Sequence, residues 1–312
     1  MRAVLRPKFP GSELRAVNVY DPSLDNSAPT AGAAMFRWLI IVSLLTALPG
    51  AWPAWADDAS DCAIVDDLPS AVVHSVPPSV FPACLRLANQ GYAFAQYNLG
   101  LLYSTGNGVP TDFGEAAKWY RRAADQGYAP AQFELAGMYA IGLGVPQDTA
   151  EAAKWDRNAA DQGYAWAQFD LARLYDKGQG VPQSFAEAKK WYLKAADQGF
   201  VVAQDFLAAK YMAGDGVPQS YSEAAKWYRK AADQGDSSAQ FYLGLMYAGG
   251  EGVPKDSVQA YMWFNLSAAQ EKSENGKAAK NRDAIAASMT QAQIAEAQAL
   301  AAAWMPTKAP SQ

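Results

Sequence analysis

Small and apolar residues recur with a period of 36 residues along most of this chain. The tripeptide Gly-Val-Pro marks the period, beginning at Gly108, Gly144, Gly180, Gly216 and Gly252. Before the first tripeptide, Ala95, Leu99 and Tyr103 follow one another at intervals of four residues, and the later repeats keep this spacing. Since side chains at that interval share one face of an α-helix, the pattern predicts a helix, here called helix A, with an Ala-Leu-Tyr core face.

A second helix, helix B, is predicted after each Gly-Val-Pro. Its start carries Asp or Ser three residues before Glu or Gln, in the pairs Asp112/Glu115, Asp148/Glu151, Ser184/Glu187, Ser220/Glu223 and Asp256/Gln259. This spacing is typical of a capping box, in which side chains satisfy backbone N–H groups at the helix start. Each helix B also carries a tryptophan near alanines, at Trp119, Trp155, Trp191, Trp227 and Trp263. Because the ring recurs at one position of the repeat, we assign it to the core.

The pentapeptide Ala-Ala-Asp-Gln-Gly closes four of the helices B, ending at Gly127, Gly163, Gly199 and Gly235. The alanines allow close packing, and the glycine suits the left-handed conformation that ends many helices. An acid in the last turn opposes the helix dipole, at a cost of about 0.3–1 kcal/mol. We therefore expect the aspartates to accept backbone N–H bonds at the start of the next helix A. The predicted acceptors are Asp125, Asp161, Asp197 and Asp233.

The repeats also define the domain organisation, because a stack of helix pairs needs atypical units at its ends. The predicted segments are an N-terminal cap with half a repeat at 57–91, five repeats at 92–271, C-terminal capping helices at 272–305 and a tail at 306–312. The segment Tyr261–Glu271 is too apolar for a solvent-facing helix B and requires a covering element. We expect that element to include a final helix, opened by a capping box of Thr290 and Gln293 and reaching about Trp304.

Residues 35–56 have the composition of a secretory signal peptide. A basic start precedes an apolar run from Trp38 to Leu48 and an Ala-Trp-Ala site, so cleavage is predicted after Ala56. The alternative is a membrane anchor, for which this run of 11 residues is short against the about 20 that cross a bilayer. Residues 1–34 either precede a true start at Met35 or form a long leader. The expected location is periplasmic or secreted, without a permanent membrane span.

Two cysteines, Cys62 and Cys84, lie between the predicted cleavage site and the repeats. In an oxidising compartment an even pair of this kind favours a disulfide. Two buried free thiols are the alternative interpretation.

The composition indicates a folded protein without a recognisable catalytic centre. Lys and Arg total 26 against 31 Asp and Glu, a net charge of -5, and no basic block suggests a nucleic-acid partner. The single histidine, His74, precedes the repeats, so they hold no His-based triad and no zinc site with two histidines. The repeated glycines punctuate turns and form no phosphate-binding loop. We therefore predict no catalytic residue, no metal and no cofactor, and keep a paired-carboxylate hydrolase as an alternative.

The repeat itself resembles a known family. The segment AQYNLGLLYSTGNGVPTDFGEAAKWYRRAADQG, which begins at Ala95 and recurs five times, is similar to the Sel-one-like repeat family, a relative of the tetratricopeptide repeats. The resemblance covers residues 92–271 and implies an all-α, right-handed α-solenoid of antiparallel helix pairs. It also implies an adaptor, since most members act in signalling or envelope complexes, although some relatives are linked to cell-wall or β-lactam chemistry. The chain is identified as an exported bacterial member.

Partner-binding residues are expected where helix A departs from the repeat, opposite its core face. The predicted residues are Phe94, Asn98, Leu101, Trp166, Asp170, Arg173, Asp205, Phe206, Lys210 and Tyr242. The fourth repeat is the most irregular, with Asp205 in place of an aromatic residue and Lys210 in place of Leu or Met. A broken local rule indicates either a functional site or a compensated irregularity.

These observations lead to three functional hypotheses. The first is an exported scaffold that binds a protein or peptide partner in the bacterial envelope and regulates a signalling or assembly complex. The alternatives are a cell-wall or β-lactam hydrolase on a repeat scaffold, and a lumenal adaptor of a eukaryotic secretory pathway. The last would normally carry glycosylation sequons, and the one triplet noted, Asn265-Leu266-Ser267, falls in a predicted helix. The oligomeric state stays open.

Overall fold

The structure, a computed structural model, describes residues 58–59, 61–62, 77–270 and 276–307. Within these residues the chain forms 13 helices and no strand. The first helix is α1 (Val80–Asn89). The helices A are α2 (Ala93–Thr105), α4 (Ala129–Ile141), α6 (Ala165–Lys177), α8 (Val201–Ala213) and α10 (Ser237–Gly249). The helices B are α3 (Phe113–Asp125), α5 (Thr149–Asp161), α7 (Phe185–Asp197), α9 (Tyr221–Asp233) and α11 (Ser257–Gln270), and the last two helices are α12 (Lys277–Ala286) and α13 (Gln291–Ala303).

Three of the sequence predictions concern residues outside this description: the upstream segment 1–34, the signal peptide 35–56 with its cleavage point, and His74. None of the described helices combines the length and the apolar character that a membrane span requires.

The hairpin between helices A and B follows from two local interactions. Gly106 ends α2 with a φ of 76°, and its N–H donates to the Leu102 carbonyl at 2.9 Å. Glycine adopts this left-handed backbone without the strain that a Cβ atom brings. The return helix α3 then begins at Asp112, whose backbone N–H donates to the Tyr103 carbonyl at 2.9 Å. The equivalent bond to a helix A tyrosine carbonyl recurs at Asp148, Ser184, Ser220 and Asp256.

The predicted caps of helix B are confirmed in one direction. The Asp112 side chain accepts the Glu115 N–H at 3.0 Å, and the other four cap residues accept the corresponding bond. The cap N–H is already bonded to the tyrosine carbonyl, so the glutamates instead form ion pairs with lysines three residues on, as in Glu115–Lys118. At the start of α13, Thr290 and Gln293 form the complete reciprocal box that the sequence predicts.

The alanines and leucines of the predicted Ala-Leu-Tyr core face are confirmed as core residues, whereas its tyrosines other than Tyr211 are half-buried. Ala95 and Leu99 are fully buried in the first repeat, and so are the alanines and leucines at their positions in the later repeats. Tryptophans of helix B are buried beside them. Small residues on helix A let the aromatic rings of helix B approach closely, since a Cβ atom on Gly100 would lie 2.5 Å from the Tyr120 ring. Packing of this density fixes the geometry of each helix pair.

The aspartates of the Ala-Ala-Asp-Gln-Gly ends do not join successive repeats, and that prediction is wrong. Asp125, Asp161 and Asp197 are exposed in the last turn of their helices. In the described residues none of the four aspartate side chains accepts a backbone bond from the next helix A, and the N-cap residues of α4 and α8 make no side-chain cap. The glycine prediction is confirmed: Gly127 has a φ of 86°, and its N–H donates to the Ala124 carbonyl at 2.9 Å.

Glutamine makes the joint instead. Gln132 in α4 is buried, and its Nε2 donates to the Ala124 carbonyl at the end of α3 (3.1 Å). Its Oε1 accepts from Gln162 Nε2, 30 residues on, at 2.8 Å. The same amide chain recurs in the pairs Gln96/Gln126, Gln168/Gln198, Gln204/Gln234 and Gln240/Gln270. The buried Gln132 amide thus adds a second hydrogen bond to a helix-end carbonyl that also accepts the Gly127 N–H, and it links the ends of successive helices B.

Two compact units make up the chain, one ending at Ala167 and the other beginning at Gln168, so that the division falls within α6. In the first unit α1 packs on α2, and each of the next three helices packs on its predecessor. In the second unit each helix from α7 to α11 packs on the next, and α11 also contacts α12 and α13.

Both ends of the array are covered. A disulfide joins Cys62 to Cys84 of α1, as predicted, and the Asp58 carboxylate pairs with Arg86. At the other end the Trp304 ring packs edge-on against Trp263 with centroids 6.4 Å apart, and Gln298 donates to the Tyr261 hydroxyl. The apolar face of α11 is therefore covered by the C-terminal helices, as its sequence requires.

Candidate functional site

Two of the predicted partner-binding residues are interior residues. Asn98 is 0% exposed, and its Nδ2 donates to the Cys62 carbonyl at 3.0 Å, which ties the disulfide segment to α2. Lys210 is also buried, with an 8% exposed side chain, and its Nζ pairs with Asp176 at 2.8 Å and Asp215 at 2.9 Å. Neither side chain is available to a partner, so both assignments are corrected to structural roles.

The remaining predicted residues are partly exposed. In the first unit Phe94, Leu101 and Trp166 are half-buried, and the Trp166 ring lies 6.4 Å from that of Phe133. In the second unit the half-buried residues are Asp170, Arg173, Asp205, Phe206 and Tyr242. Arg173 Nη1 donates to Asp170 Oδ1 at 3.0 Å, so these two predicted residues form an ion pair.

An aromatic triad recurs on the helix A side of the repeats. In the first repeat Tyr97 of α2 lies 5.8 Å from Tyr120 of α3 and 5.4 Å from Tyr128, which precedes α4. In the third repeat Phe169 lies at similar distances from Tyr192 and Phe200. Tyr120 and Tyr192 are almost fully buried, so the triad belongs to the core of each repeat.

The fourth repeat replaces two of the three rings of this triad with carboxylates. Asp205 stands at the position of Tyr97 and Phe169, and Asp236 stands at the position of Tyr128 and Phe200. The third member, Tyr228, is kept and is fully buried. Tyr242 of α10 stacks on Tyr228, with centroids 5.1 Å apart and planes inclined by 16°. We call these four residues, Asp205, Asp236, Tyr228 and Tyr242, the Asp205 cluster.

Polar groups in this cluster are only partly satisfied. Asp236 caps α10 by accepting the Ala239 N–H at 2.7 Å. Asp205 Oδ1 and the Tyr228 hydroxyl are shielded from solvent and have no hydrogen-bond partner. A buried polar atom without a partner costs free energy, so an arrangement that leaves two of them together needs an explanation.

Burial raises the pKa of both carboxyls, and the charge of Asp236 adds to the shift at Asp205. Desolvation, with the charge of Asp236 second, raises the pKa of Asp205 to about 7. Desolvation also raises the pKa of Asp236, opposed by its backbone hydrogen bonds. For Tyr228, burial and then the charge of Asp205 raise the pKa above its ordinary value. The cluster is therefore a place where negative charge is costly and a cation would be favoured.

Aromatic rings adjoin the cluster on the helix A side. Phe206 lies edge-on to Phe169 at 5.6 Å and 5.0 Å from Tyr192, so it fills space next to the third repeat. Phe206 therefore does not replace the ring that is missing at the Asp205 position, and this position stays polar. Half-buried aromatic rings lie beside it. Aromatic faces and carboxylates together are a combination that binds cationic groups.

Sequence reasoning identified Asp205, Phe206 and Tyr242 but missed Asp236 and Tyr228. A signal was present, because Asp236 replaces the aromatic residue that follows Gly127, Gly163 and Gly199. In the described residues no group of three or more His, Cys, Asp or Glu is placed to hold a metal ion. Within the cluster, Asp236 Oδ1 accepts the backbone N–H of Ala239.

The comparisons with known proteins identify the repeat. The Sel1 repeat model matches residues 93–128, 129–164, 167–200, 201–236 and 237–272. A Sel1 repeat protein from Oxalobacter formigenes is 36% identical over 65% of this chain and 58% of its own, with a TM-score of 0.60. A protective antigen of uropathogenic Escherichia coli with an SLR fold is 28% identical over 75% of this chain and 65% of its own, with a TM-score of 0.37. This chain thus spans less than two thirds of either relative.

A search of curated proteins found no match. The five consecutive matches to one repeat model, together with the helix pairs and the 36-residue period, settle the architecture as an α-solenoid. The chain belongs to the Sel1 repeat family.

Proposed function

We propose that this protein is an exported scaffold that binds a protein or peptide partner in the bacterial envelope through the exposed side of its helices A. The proposal rests mainly on where the repeats differ. Their core, caps and glutamine joints repeat almost unchanged, whereas half-buried aromatic and charged residues on helix A vary from repeat to repeat. Aromatic residues and arginine are enriched among the residues that dominate binding energy.

Family and covalent structure support the two parts of this proposal. Sel1 repeats form scaffolds suited to protein–protein interaction. A disulfide between Cys62 and Cys84 is stable in an oxidising compartment, which agrees with export. The mature protein would then start at Asp57, and its role would be to regulate a signalling or assembly complex.

Photo-crosslinking in living cells tests the binding face. A photoreactive amino acid at position 94 or position 242 is expected to capture a defined partner from the envelope fraction, and Trp166→Ala or Arg173→Ala is expected to reduce the yield. Phe185→Ala provides the matched control, because Phe185 is a 45% exposed aromatic residue at the start of a helix B. Equal yields from all variants would refute the assignment of the helix A side.

Export is tested separately by determining the N-terminus of the protein recovered from the periplasm. We expect Asp57, and recovery only from the cytoplasm with an intact leader would refute that part of the proposal.

A further inference from the structure

The Asp205 cluster has carboxylates without an internal counter-ion. In the part of the second unit that the structure describes, neither Asp205 nor Asp236 forms an ion pair. The basic side chains of the same repeat are engaged elsewhere. Lys210 pairs with Asp176 and Asp215, and Arg229 donates to the Tyr247 hydroxyl. A carboxylate removed from water is normally paired, since its isolated burial is costly.

A second buried polar group at the same place lacks a partner in the described part of the chain. The Tyr228 side chain is 0% exposed, and its hydroxyl has no hydrogen-bond partner, although it lies within the electrostatic influence of Asp205 and Asp236. In the first repeat the equivalent hydroxyl, on Tyr120, is within 3.3 Å of the Ser104 hydroxyl. In the third repeat the Tyr192 hydroxyl also lacks a partner among the described residues, but no carboxylate belongs to the triad there. The fourth repeat therefore combines an unpaired carboxylate oxygen with an unpaired hydroxyl.

We infer that the Asp205 cluster binds a lysine or arginine side chain carried by the partner, an inference that rests on the proposed scaffold function. A cationic head group would pair with Asp205, and its aliphatic stem would lie along the half-buried ring of Tyr242. Charge-assisted hydrogen bonds to a carboxylate are among the strongest that proteins form, and an aromatic face adds to the attraction. The bound cation would remove the repulsion between Asp205 and Asp236.

The chemistry of the cluster favours an organic cation over a metal ion. It offers two carboxylates, of which Asp236 already accepts a backbone N–H from α10. Divalent metal sites use more oxygen ligands than this, commonly six or more for calcium. An ammonium or guanidinium group needs only one free carboxylate oxygen and a flat apolar wall.

An array of random decapeptides, probed with the purified full chain, tests this inference. We expect the bound peptides to share a Lys or Arg at one position, and replacement of that residue by norleucine to weaken binding by about tenfold. In the Asp205→Asn variant the lysine and norleucine peptides should bind with nearly equal affinity. Asp125→Asn, an exposed carboxylate outside the cluster, should keep the wild-type preference.

A second variant keeps the inference testable if Asp205→Asn does not fold. Asp205→Phe restores the aromatic residue of the other repeats, so it should fold and lose the preference for lysine. Circular dichroism and thermal unfolding verify the fold of each variant.

The outcomes separate this inference from the function on which it rests. Binding of peptides without a basic preference, or a preference that survives both substitutions at Asp205, would overturn the inference and leave the scaffold proposal intact. Failure of the wild type to bind any peptide in the array would overturn the inference together with peptide binding.

Discussion

Asp205 is one of the two carboxylates that replace aromatic rings in the fourth repeat. Tyr97, Phe133, Phe169 and Phe241 occupy the position that Asp205 takes, and the phenylalanines and the tyrosine there pack against neighbouring rings. An ionised carboxyl in that setting loses hydration without gaining a partner, which is the cause of its raised pKa. The protein therefore carries a local instability that depends on pH.

The first prediction concerns this pH dependence. Folding favours the protonated form of Asp205, because its folded pKa of about 7 lies above the ordinary value. The associated stability is full below about pH 4, the unfolded pKa, and is lost as pH rises through about 7. In Asp205→Asn this loss should disappear, so that the variant exceeds the wild type at pH 8 by up to about 4 kcal/mol. Urea unfolding across this pH range measures the difference.

Neighbouring titratable groups and a control variant define how the pH dependence of Asp205 is measured. Asp236 and Tyr228 interact electrostatically with Asp205, and Tyr242 stacks on Tyr228. Asp125→Asn is the control, since its carboxylate is exposed. Parallel stability curves for the wild type and Asp205→Asn would contradict the prediction.

Lys210 is a second residue at which the fourth repeat differs from the others. Its buried ion pair stands where the other repeats have Leu or Met. The second repeat has Met138 at the Lys210 position and Ala140 at the Asp176 position. Lys210→Met alone leaves Asp176 without its cation and should cost about 3–5 kcal/mol. Adding Asp176→Ala, which introduces the residue found at this position in the second repeat, removes the unpaired carboxylate and should recover most of that loss. Additive effects of the two substitutions in chemical unfolding would disprove the coupling.

The sequence predicted which side chains share a helix face, but not which distant residues of the chain pack over that face. Asn98 was assigned to a binding surface because helical geometry places it away from the Ala-Leu-Tyr face, and Lys210 because it replaces the Leu or Met of the other repeats. Asn98 is covered by the segment that Cys62 anchors, and Lys210 is neutralised by an aspartate 34 residues earlier. Both partners lie far away in sequence, so no local pattern could reveal them.

At the scale of helices, the sequence predicted the features within one helix but not the contacts that join successive repeats. Caps, glycine termini and core stripes depend on residues within one helix, and these predictions are confirmed at Asp112, Gly127 and Leu99. The joint between repeats was assigned to Asp125, whereas the buried amides of Gln96 and Gln132 perform it. The identity of that joint depends on which side chain reaches the preceding helix end, a question that only the packed structure answers.

A substitution in the amide chain tests the corrected joint. Gln132→Ala removes the donor to the buried Ala124 carbonyl and the acceptor of Gln162. We expect a loss of about 1–3 kcal/mol in the free energy of unfolding, because two hydrogen bonds of a buried side chain disappear although the Ala124 carbonyl keeps the Gly127 N–H. Asp125→Ala should be neutral or slightly stabilising, since it removes an exposed acid from a helix C-terminus. A larger loss of stability for Asp125→Ala than for Gln132→Ala in thermal unfolding would instead support a joint made by the aspartate.

The N-terminal cap depends on a covalent bond. Cys62 and Cys84, 22 residues apart in sequence, close a loop that holds the Asn98 contact in place. Reduction should therefore destabilise the wild type by about 2–4 kcal/mol. The double variant Cys62→Ala/Cys84→Ala should start from the lower stability and show no response to reductant. A wild type whose melting temperature is unchanged by reductant would contradict this role.

At the scale of the whole molecule, stacked repeats are stable only if their end faces are covered. The first and last repeats cannot bury both of their faces against copies of themselves. This protein covers one end with α1 and the disulfide segment, and the other with α12 and α13. The sequence revealed the need for the second cover through the apolar face of α11, since Tyr261 and Phe264 are almost fully buried.

Removal of one ring from the C-terminal cover should weaken the end of the array. Trp304 packs on Trp263 and lies within reach of Gly235, and Thr307 continues the contact by donating to the Asp233 carbonyl at 2.7 Å. Trp304→Ala should lower the free energy of unfolding by roughly 2 kcal/mol, below the range for a fully buried ring because Trp304 is half-buried. Met305→Ala changes the neighbouring side chain, which is 80% exposed, and should leave stability unchanged. Equal melting temperatures for the two variants would show that the Trp304 ring is not required to cover the apolar face of α11, and that the remaining contacts of α12 and α13 suffice.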